Sequence, residues 1–151
     1  MQPEELRLRD TQEWVARCLE DRETADHALT PKRPFLRDCL FRCHQAVEKA
    51  CKAFLTWQDE SFAKTHNVVE LGHLCAKADA RLADIPRRAA PLNLYAVQFR
   101  YPGEPYQPTI EEARNALELA RELVAQILAC LPSEVQPLGP PQNPSPRDSA
   151  G

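Results

Sequence analysis

The chain has 151 residues, a net charge of −3 and hydrophobic residues at 43% of its composition, which is typical of one globular domain with its own core. The acidic balance excludes a broad basic surface, so we expect at most a local basic patch for nucleic acid. Five of the first ten residues are charged and no apolar run is long enough to cross a membrane, so neither a signal peptide nor membrane association is expected.

The first helix is predicted from about Pro3 to Ala28, because apolar residues recur there at spacings of three, four or seven. Two prolines within TPKRP then interrupt the chain. The second helix, from about Phe35 to Trp57, has the clearest amphipathic pattern. Its predicted core-facing positions are Leu40, Cys43, Val47, Ala50, Phe54 and Trp57. A second row of small residues, Cys39, Ala46 and Ala53, favours close approach of a neighbouring helix, so we predict that this helix lies at the centre of the bundle.

A third helix is predicted to begin near Thr65 or Asn67 and to continue to Ile85, with Pro86 closing it. Asn67 and Glu70 have the spacing of a capping box. The segment PLNLYAVQF follows as a short helical piece, and the proline-rich RYPGEPYQP is predicted to be an irregular loop.

The last helix is predicted to begin after Thr109, with Glu112 at the capping-box position, and to continue to Leu131. Residues 132–151 are rich in proline and have little to bury, so they are predicted to be a disordered tail, and residues 1–131 are predicted to be the folded domain. The predicted fold class is all-α: an antiparallel, up-and-down four-helix bundle with one extra short helix.

Six cysteines lie at positions 18, 39, 43, 51, 75 and 130, and none forms a C-x-x-C pair. Without a secretion signal, they are predicted to be reduced thiols in a cytoplasmic protein. Cys39, Cys43 and His44 lack the further ligands that a metal site needs, so neither a metal nor a cofactor is expected.

Three blocks, in order, resemble the HEPN family (higher eukaryotes and prokaryotes nucleotide-binding). They are FRCHQAVEKACKAFL, AKTHNVVEL and LYAVQFRYPGE, and the resemblance covers about residues 5–131. It implies a compact helical bundle that commonly forms homodimers, and often a partnership with a minimal nucleotidyltransferase in a toxin–antitoxin pair.

Many HEPN proteins are metal-independent RNases, in which an Arg holds the phosphate and a His, separated from it by four to six residues, moves the proton of the attacking 2′-hydroxyl. Arg100 stands where the family keeps its arginine, but positions 105–107 are Pro, Tyr and Gln, and no His follows His73. The resemblance therefore implies Arg100 and Tyr106 as candidate catalytic residues of a variant site. The alternatives are an Arg100 paired with a carboxylate and a Tyr106 that is an ordinary loop residue.

Lys49, Lys52, His66 and Arg100 are the candidate nucleotide- or RNA-binding residues. Lys49 and Lys52 could instead belong to a solvated face, which is the interpretation we favour for Glu48. His66 could instead make local hydrogen bonds at the start of the third helix.

Three hypotheses follow from the sequence. The chain is a nucleotide- or RNA-binding module that acts with a minimal nucleotidyltransferase, or a metal-independent RNase toxin with a variant site around Arg100. Alternatively, it is a dimerisation or interaction module without a ligand.

Overall fold

The protein is described by a computed structural model that covers residues 2–97 and 106–137. In these two ranges the regular structure is entirely helical, so the predicted all-α class is confirmed. The α-helices are α1 (Pro3–His27), α2 (Leu36–Trp57), α3 (Val68–Ala78), α4 (Ile85–Ala89), α5 (Leu94–Val97) and α6 (Ile110–Leu128). Short 3₁₀ turns span Ala80–Leu82, Ala90–Asn93 and Ser133–Val135.

Helix α2 is the central element, as predicted. It packs along most of α1 and also contacts α3, α5 and α6. Five of its six predicted core positions are completely buried, and Trp57 is half-buried. The small side chains of Cys39, Ala46 and Ala53 are completely buried as well, and Cys39 Sγ lies 3.9 Å from the carbonyl oxygen of Ala113 in α6. Small residues on this face therefore let α6 approach α2 closely.

The helix directions depart from the predicted up-and-down order at α3. His44 contacts the carbonyl of His66, and further along both elements Cys51 contacts Cys75. The contacting residues occur in the same order along the two elements, so α3 is parallel to α2 rather than antiparallel to it. The intervening segment 58–67 carries the chain back along α2, beginning at Asp59, which adopts a left-handed conformation with φ of 56°.

Helix α3 is shorter than the sequence predicts. It ends at Ala78, because Asp79 is extended (φ −147°, ψ 117°) and its side chain accepts a hydrogen bond from the Arg81 backbone N–H at 2.9 Å. Pro86 does not close α3; it lies in the first turn of α4, where a proline costs no hydrogen bond. A Cβ built on Gly72 would lie 3.2 Å from Pro86 backbone atoms, so glycine allows α4 to pack directly on α3.

Both predicted N-caps are confirmed. Asn67 Oδ1 accepts from the backbone N–H groups of Val69 and Glu70, and Thr109 Oγ1 accepts from that of Glu112 at 3.1 Å. In a capping box the Glu112 carboxylate would also accept from the backbone N–H of Thr109. That part of the prediction is wrong, because the carboxylate instead accepts from the hydroxyl of Tyr95 at 2.9 Å.

The folded part continues beyond residue 131, where the sequence predicts the domain to end. Val135 is 1% exposed, and the 3₁₀ turn that carries it packs against α1. Gln12 of α1 donates to the carbonyl of Glu134 at 2.9 Å. One apolar side chain followed by prolines was too weak a pattern to predict this turn. The rest of the predicted tail, residues 138–151, lies outside the described residues.

Within the described ranges, no helix combines the length and the apolar character needed to cross a membrane.

Candidate functional site

The candidate binding residues Lys49, Lys52 and His66 meet along one side of α2. Most of α2 is buried after Cys43, but a narrow side of the helix reaches solvent between α1 and the segment that precedes α3. We call this side, with the groups that flank it, the α2 strip. Its members are Asp21, Arg42, Gln45, Glu48, Lys49, Lys52 and His66.

The wall of the strip on the α1 side is organised by Asp21. This carboxylate is only 4% exposed, and it contacts both Arg42 Nη1, at 2.8 Å, and Lys49 Nζ. The side chains of Arg42 and Lys49 are 39% and 20% exposed. One buried carboxylate therefore fixes a guanidinium and an ammonium next to each other, with the guanidinium partly open to solvent.

The opposite wall is organised by Glu48. The solvated position predicted for it is wrong, because its side chain is 3% exposed. Glu48 contacts Lys52 Nζ at 3.5 Å and His66 Nδ1 at 2.7 Å. Lys52 is also buried, and its ammonium lies 5.5 Å from the centroid of the Trp14 ring. Glu48 and Lys52 thus lie under neighbouring elements rather than on a solvated face.

His66 is held from two directions while its ring stays exposed. Its backbone carbonyl lies 2.7 Å from Nε2 of the fully buried His44. Burial lowers the pKa of His44, so this ring is neutral at physiological pH and its Nε2–H donates to the carbonyl. The His66 side chain is 63% exposed. Because Nδ1 faces Glu48, Nε2 is the ring nitrogen left to meet a ligand.

The α2 strip carries more positive than negative charge. Arg42, Lys49 and Lys52 stand against only two carboxylates, Asp21 and Glu48, and His66 adds a further charge when protonated. The surplus is local, because the chain as a whole is acidic. This arrangement suits a phosphate or phosphodiester group.

Arg100, the candidate for the catalytic arginine, lies outside the described residues. Tyr106 is half-buried just before α6, and its backbone carbonyl accepts from Arg37 Nη2 at 3.4 Å. A hydrogen bond with Glu112 raises the pKa of Tyr106. The phenol therefore keeps its proton at neutral pH, so it can donate a hydrogen bond but cannot act as a general base.

Tyr106 lies away from the candidate binding residues of the sequence. Arg37, which contacts Tyr106, lies twelve residues before Lys49, or about 18 Å along the helix axis. The candidate catalytic and binding residues of the sequence therefore belong to two places on α2, and they do not form one constellation among the described residues.

No group of three or more His, Cys, Asp and Glu side chains in the described parts of the chain could hold a metal ion. Five of the six cysteines are buried and Cys130 is half-buried. Burial raises the pKa of Cys18 to about 12, so this thiol is not a nucleophile at neutral pH.

Sequence reasoning missed Asp21 and Arg42, although one signal was available. Asp21 lies between Cys18 and Ala25, on the buried side of α1. An acidic residue is rarely buried without a cationic partner. Its position therefore indicated a buried ion pair, but the partners on α2 could not be identified before the two helices were placed together.

The fold and the strip define a class: a small helical bundle with a cationic polar site on its central helix. The family model of the HEPN domain matches residues 11–129, so the chain belongs to the HEPN family. This membership makes it, in general terms, a nucleotide- or RNA-related module. No curated protein and no solved structure matches the chain.

Proposed function

We propose that this protein is a nucleotide- or RNA-binding HEPN module that acts with a minimal nucleotidyltransferase in a toxin–antitoxin-like pair, and that it does so as a homodimer. The observation that carries the binding function is the α2 strip, where two buried carboxylates hold a surplus of cationic groups beside an exposed histidine. The family supports the ligand class, whereas the partner and the dimer rest on the resemblance.

The wall formed by Asp21 is suited to a phosphate. A guanidinium has five N–H donors, and the contact of Arg42 with Asp21 occupies Nη1. Lys49 offers three N–H donors and shares the same carboxylate. Because Asp21 already holds both side chains in place, an incoming phosphate loses little side-chain entropy when it binds them.

The wall formed by Glu48 adds one directional contact. The Nδ1 contact with Glu48 orients the His66 ring, and Nε2 can donate to a phosphate oxygen or accept from a ribose hydroxyl. With only a few cationic contacts, binding should weaken moderately with salt, unlike that of a protein with a large basic footprint.

A direct binding measurement tests this proposal. Fluorescence anisotropy with labelled single-stranded RNA would compare the wild type with Arg42→Gln and His66→Ala. Exposed residues outside the strip provide the matched controls Arg9→Gln and His73→Ala. Because hydrogen bonds to charged groups contribute about 1.5–3 kcal/mol, Arg42→Gln should weaken RNA binding about tenfold or more. Equal affinity of Arg42→Gln and Arg9→Gln would contradict the strip as the binding site.

The second candidate function is a metal-independent RNase around Arg100. It rests on the resemblance, in which Arg100 stands where the family keeps its arginine and Tyr106 follows six residues later. Incubation with single-stranded RNA beside Arg100→Ala and Tyr106→Phe would test it. Cleavage that disappears in both variants would establish an enzyme, whereas intact RNA that remains bound would support the binding module.

The partner and the dimer need their own measurements. Light scattering of the purified chain measures its mass, and co-expression with a minimal nucleotidyltransferase tests the pair by co-purification. A protein that binds neither RNA nor nucleotide, yet dimerises or binds the partner, would be the interaction module that is the third alternative.

A further inference from the structure

A long groove lies between the first half of α1 and the end of α2. Two adjoining cavities of about 280 and 370 Å³ form it, and Asp10 and Thr56 line both of them. Its walls are residues 3–17 of α1 on one side, and Thr56 with segment 59–62 on the other. The wall on α1 is about 21 Å long, so the groove is suited to a segment of polypeptide rather than to a small molecule.

Both cavities of the groove have apolar side chains in their lining. Leu6 is 44% exposed, in a chain that buries most of its large apolar side chains. It shares its cavity with Phe62, and Trp14 lines the other cavity. Phe62 and Trp14 are half-buried. The groove therefore offers apolar surface that a partner can remove from water, which is the term that drives most protein association.

The groove also carries a surplus of negative charge. Four carboxylates and two guanidinium groups line it: Asp10, Glu13, Asp59, Glu60, Arg7 and Arg17. Glu13 and Arg17 pair with each other at 2.7 Å. Asp10, Asp59 and Glu60 make no ion pair among the described residues. These three carboxylates are therefore available to a cationic partner.

Two of the three carboxylates belong to the turn that ends α2. The backbone N–H of Asp59 donates to the Thr56 carbonyl at 3.1 Å, and that of Glu60 donates to the Leu55 carbonyl at 2.9 Å. A left-handed residue followed by such a bond is a common way to close a helix. Because these contacts fix the backbone in advance, a partner loses little entropy in ordering this wall.

The groove adjoins the α2 strip but has the opposite charge. Thr56 lies one turn after Lys52 on α2. Trp14, which lines the groove, has the Lys52 ammonium 5.5 Å from its ring centroid. Unpaired carboxylates repel phosphates, so the RNA proposed for the strip does not extend into the groove. The groove calls for a different occupant, and one with positive charge.

We propose that the groove docks a basic, amphipathic segment of a partner protein. The apolar side chains of this segment cover Leu6 and Phe62, and its lysine or arginine side chains pair with Asp59 and Glu60. Apolar contact supplies the affinity, and the complementary charge selects the segment and excludes acidic ones. This docking site does not depend on the nucleotide- or RNA-binding function of the α2 strip.

Heteronuclear NMR of the full chain tests the docking site. The chain is titrated with a short peptide of leucine and lysine, with leucine at helical spacing, and with its counterpart in which glutamate replaces lysine. The lysine peptide should shift the backbone amide signals of Leu6, Asp10, Asp59 and Glu60, and the glutamate peptide should leave them unchanged.

Variants of the groove separate its two contributions. Asp59→Asn with Glu60→Gln should weaken binding of the lysine peptide about fivefold, because two ion pairs are lost. Asparagine is tolerated in a left-handed conformation, so the turn is kept. Leu6→Ala should weaken binding about fivefold or more through lost apolar contact. The matched controls are two exposed carboxylates of α6, changed together as Glu111→Gln and Glu118→Gln, and the exposed Leu94→Ala.

Several outcomes would overturn the docking site. They are the absence of shifts with the lysine peptide, shifts confined to amides outside the groove, and equal shifts with the glutamate peptide. Equal affinity of the Asp59→Asn, Glu60→Gln variant and its control would overturn it as well. Failure of the proposed function is distinct: a wild type that binds the lysine peptide but no RNA or nucleotide rejects that function and keeps the groove.

Discussion

Glu48→Gln should destabilise the protein strongly, although it replaces only one oxygen by an NH₂ group. The Glu48 and Lys52 side chains are 3% and 9% exposed, so the substitution leaves an ammonium buried without its carboxylate. Breaking a buried pair from one side costs about 3–5 kcal/mol. The 3.5 Å separation and the exposed His66 place the expected cost near the lower end, about 3 kcal/mol, which lowers Tm by roughly 6–12 °C in a domain of this size.

The double variant Glu48→Gln with Lys52→Met separates the charge effect from a general loss of packing. Removing both charges takes away the uncompensated ammonium, so this variant should recover most of the stability and remain within about 1 kcal/mol of the wild type. Glu118→Gln, on the exposed side of α6, is the control and should change stability by less than about 0.5 kcal/mol.

Urea unfolding followed by far-ultraviolet circular dichroism and tryptophan fluorescence measures these differences. Trp14 is a suitable probe because the Lys52 ammonium lies 5.5 Å from its ring centroid. A loss below about 1 kcal/mol in Glu48→Gln, or a double variant less stable than the single one, would refute the account of Glu48 as the anchor of the strip.

Three further predictions concern the rest of the fold. Thr109→Ala removes the cap of Glu112 N–H and should cost about 1 kcal/mol in urea unfolding. Val135→Ala should lower the free energy of unfolding by roughly 1–2 kcal/mol, because Val135 is 1% exposed. A loss no larger than that of an exposed-site control would indicate that the folded domain ends at residue 131, as the sequence predicts. Burial lowers the pKa of His44 below its unfolded value near 6.5, so the unfolded state binds more protons and stability falls as pH drops below about 6.5. His44→Gln should remove that part of the pH dependence, and an unchanged slope would contradict it.

The limits of prediction from sequence are clearest at α3 and at the α2 strip. The spacing of Val68, Leu71 and Cys75 predicted the start of α3 correctly, and Leu82 and Ile85 are buried as the same pattern requires. The pattern could not show that the chain breaks at Asp79, because 3₁₀ and α-helical turns place apolar residues at similar spacings. The break depends on a side-chain cap and on the close packing of α4, both of which are tertiary features.

The sequence by itself determined the all-α class, the central position of α2 and the HEPN family, because helical periodicity and the three family blocks are local properties of the chain. It also marked Lys49, Lys52 and His66 as candidate ligand contacts. Only the tertiary structure decided the direction of α3 and the partners of those residues, since Asp21 comes from another helix and Glu48 is buried by the segment before α3. Whether a charged residue on α2 faces solvent or a buried partner depends on which elements pack beside it, and periodicity contains no information on that.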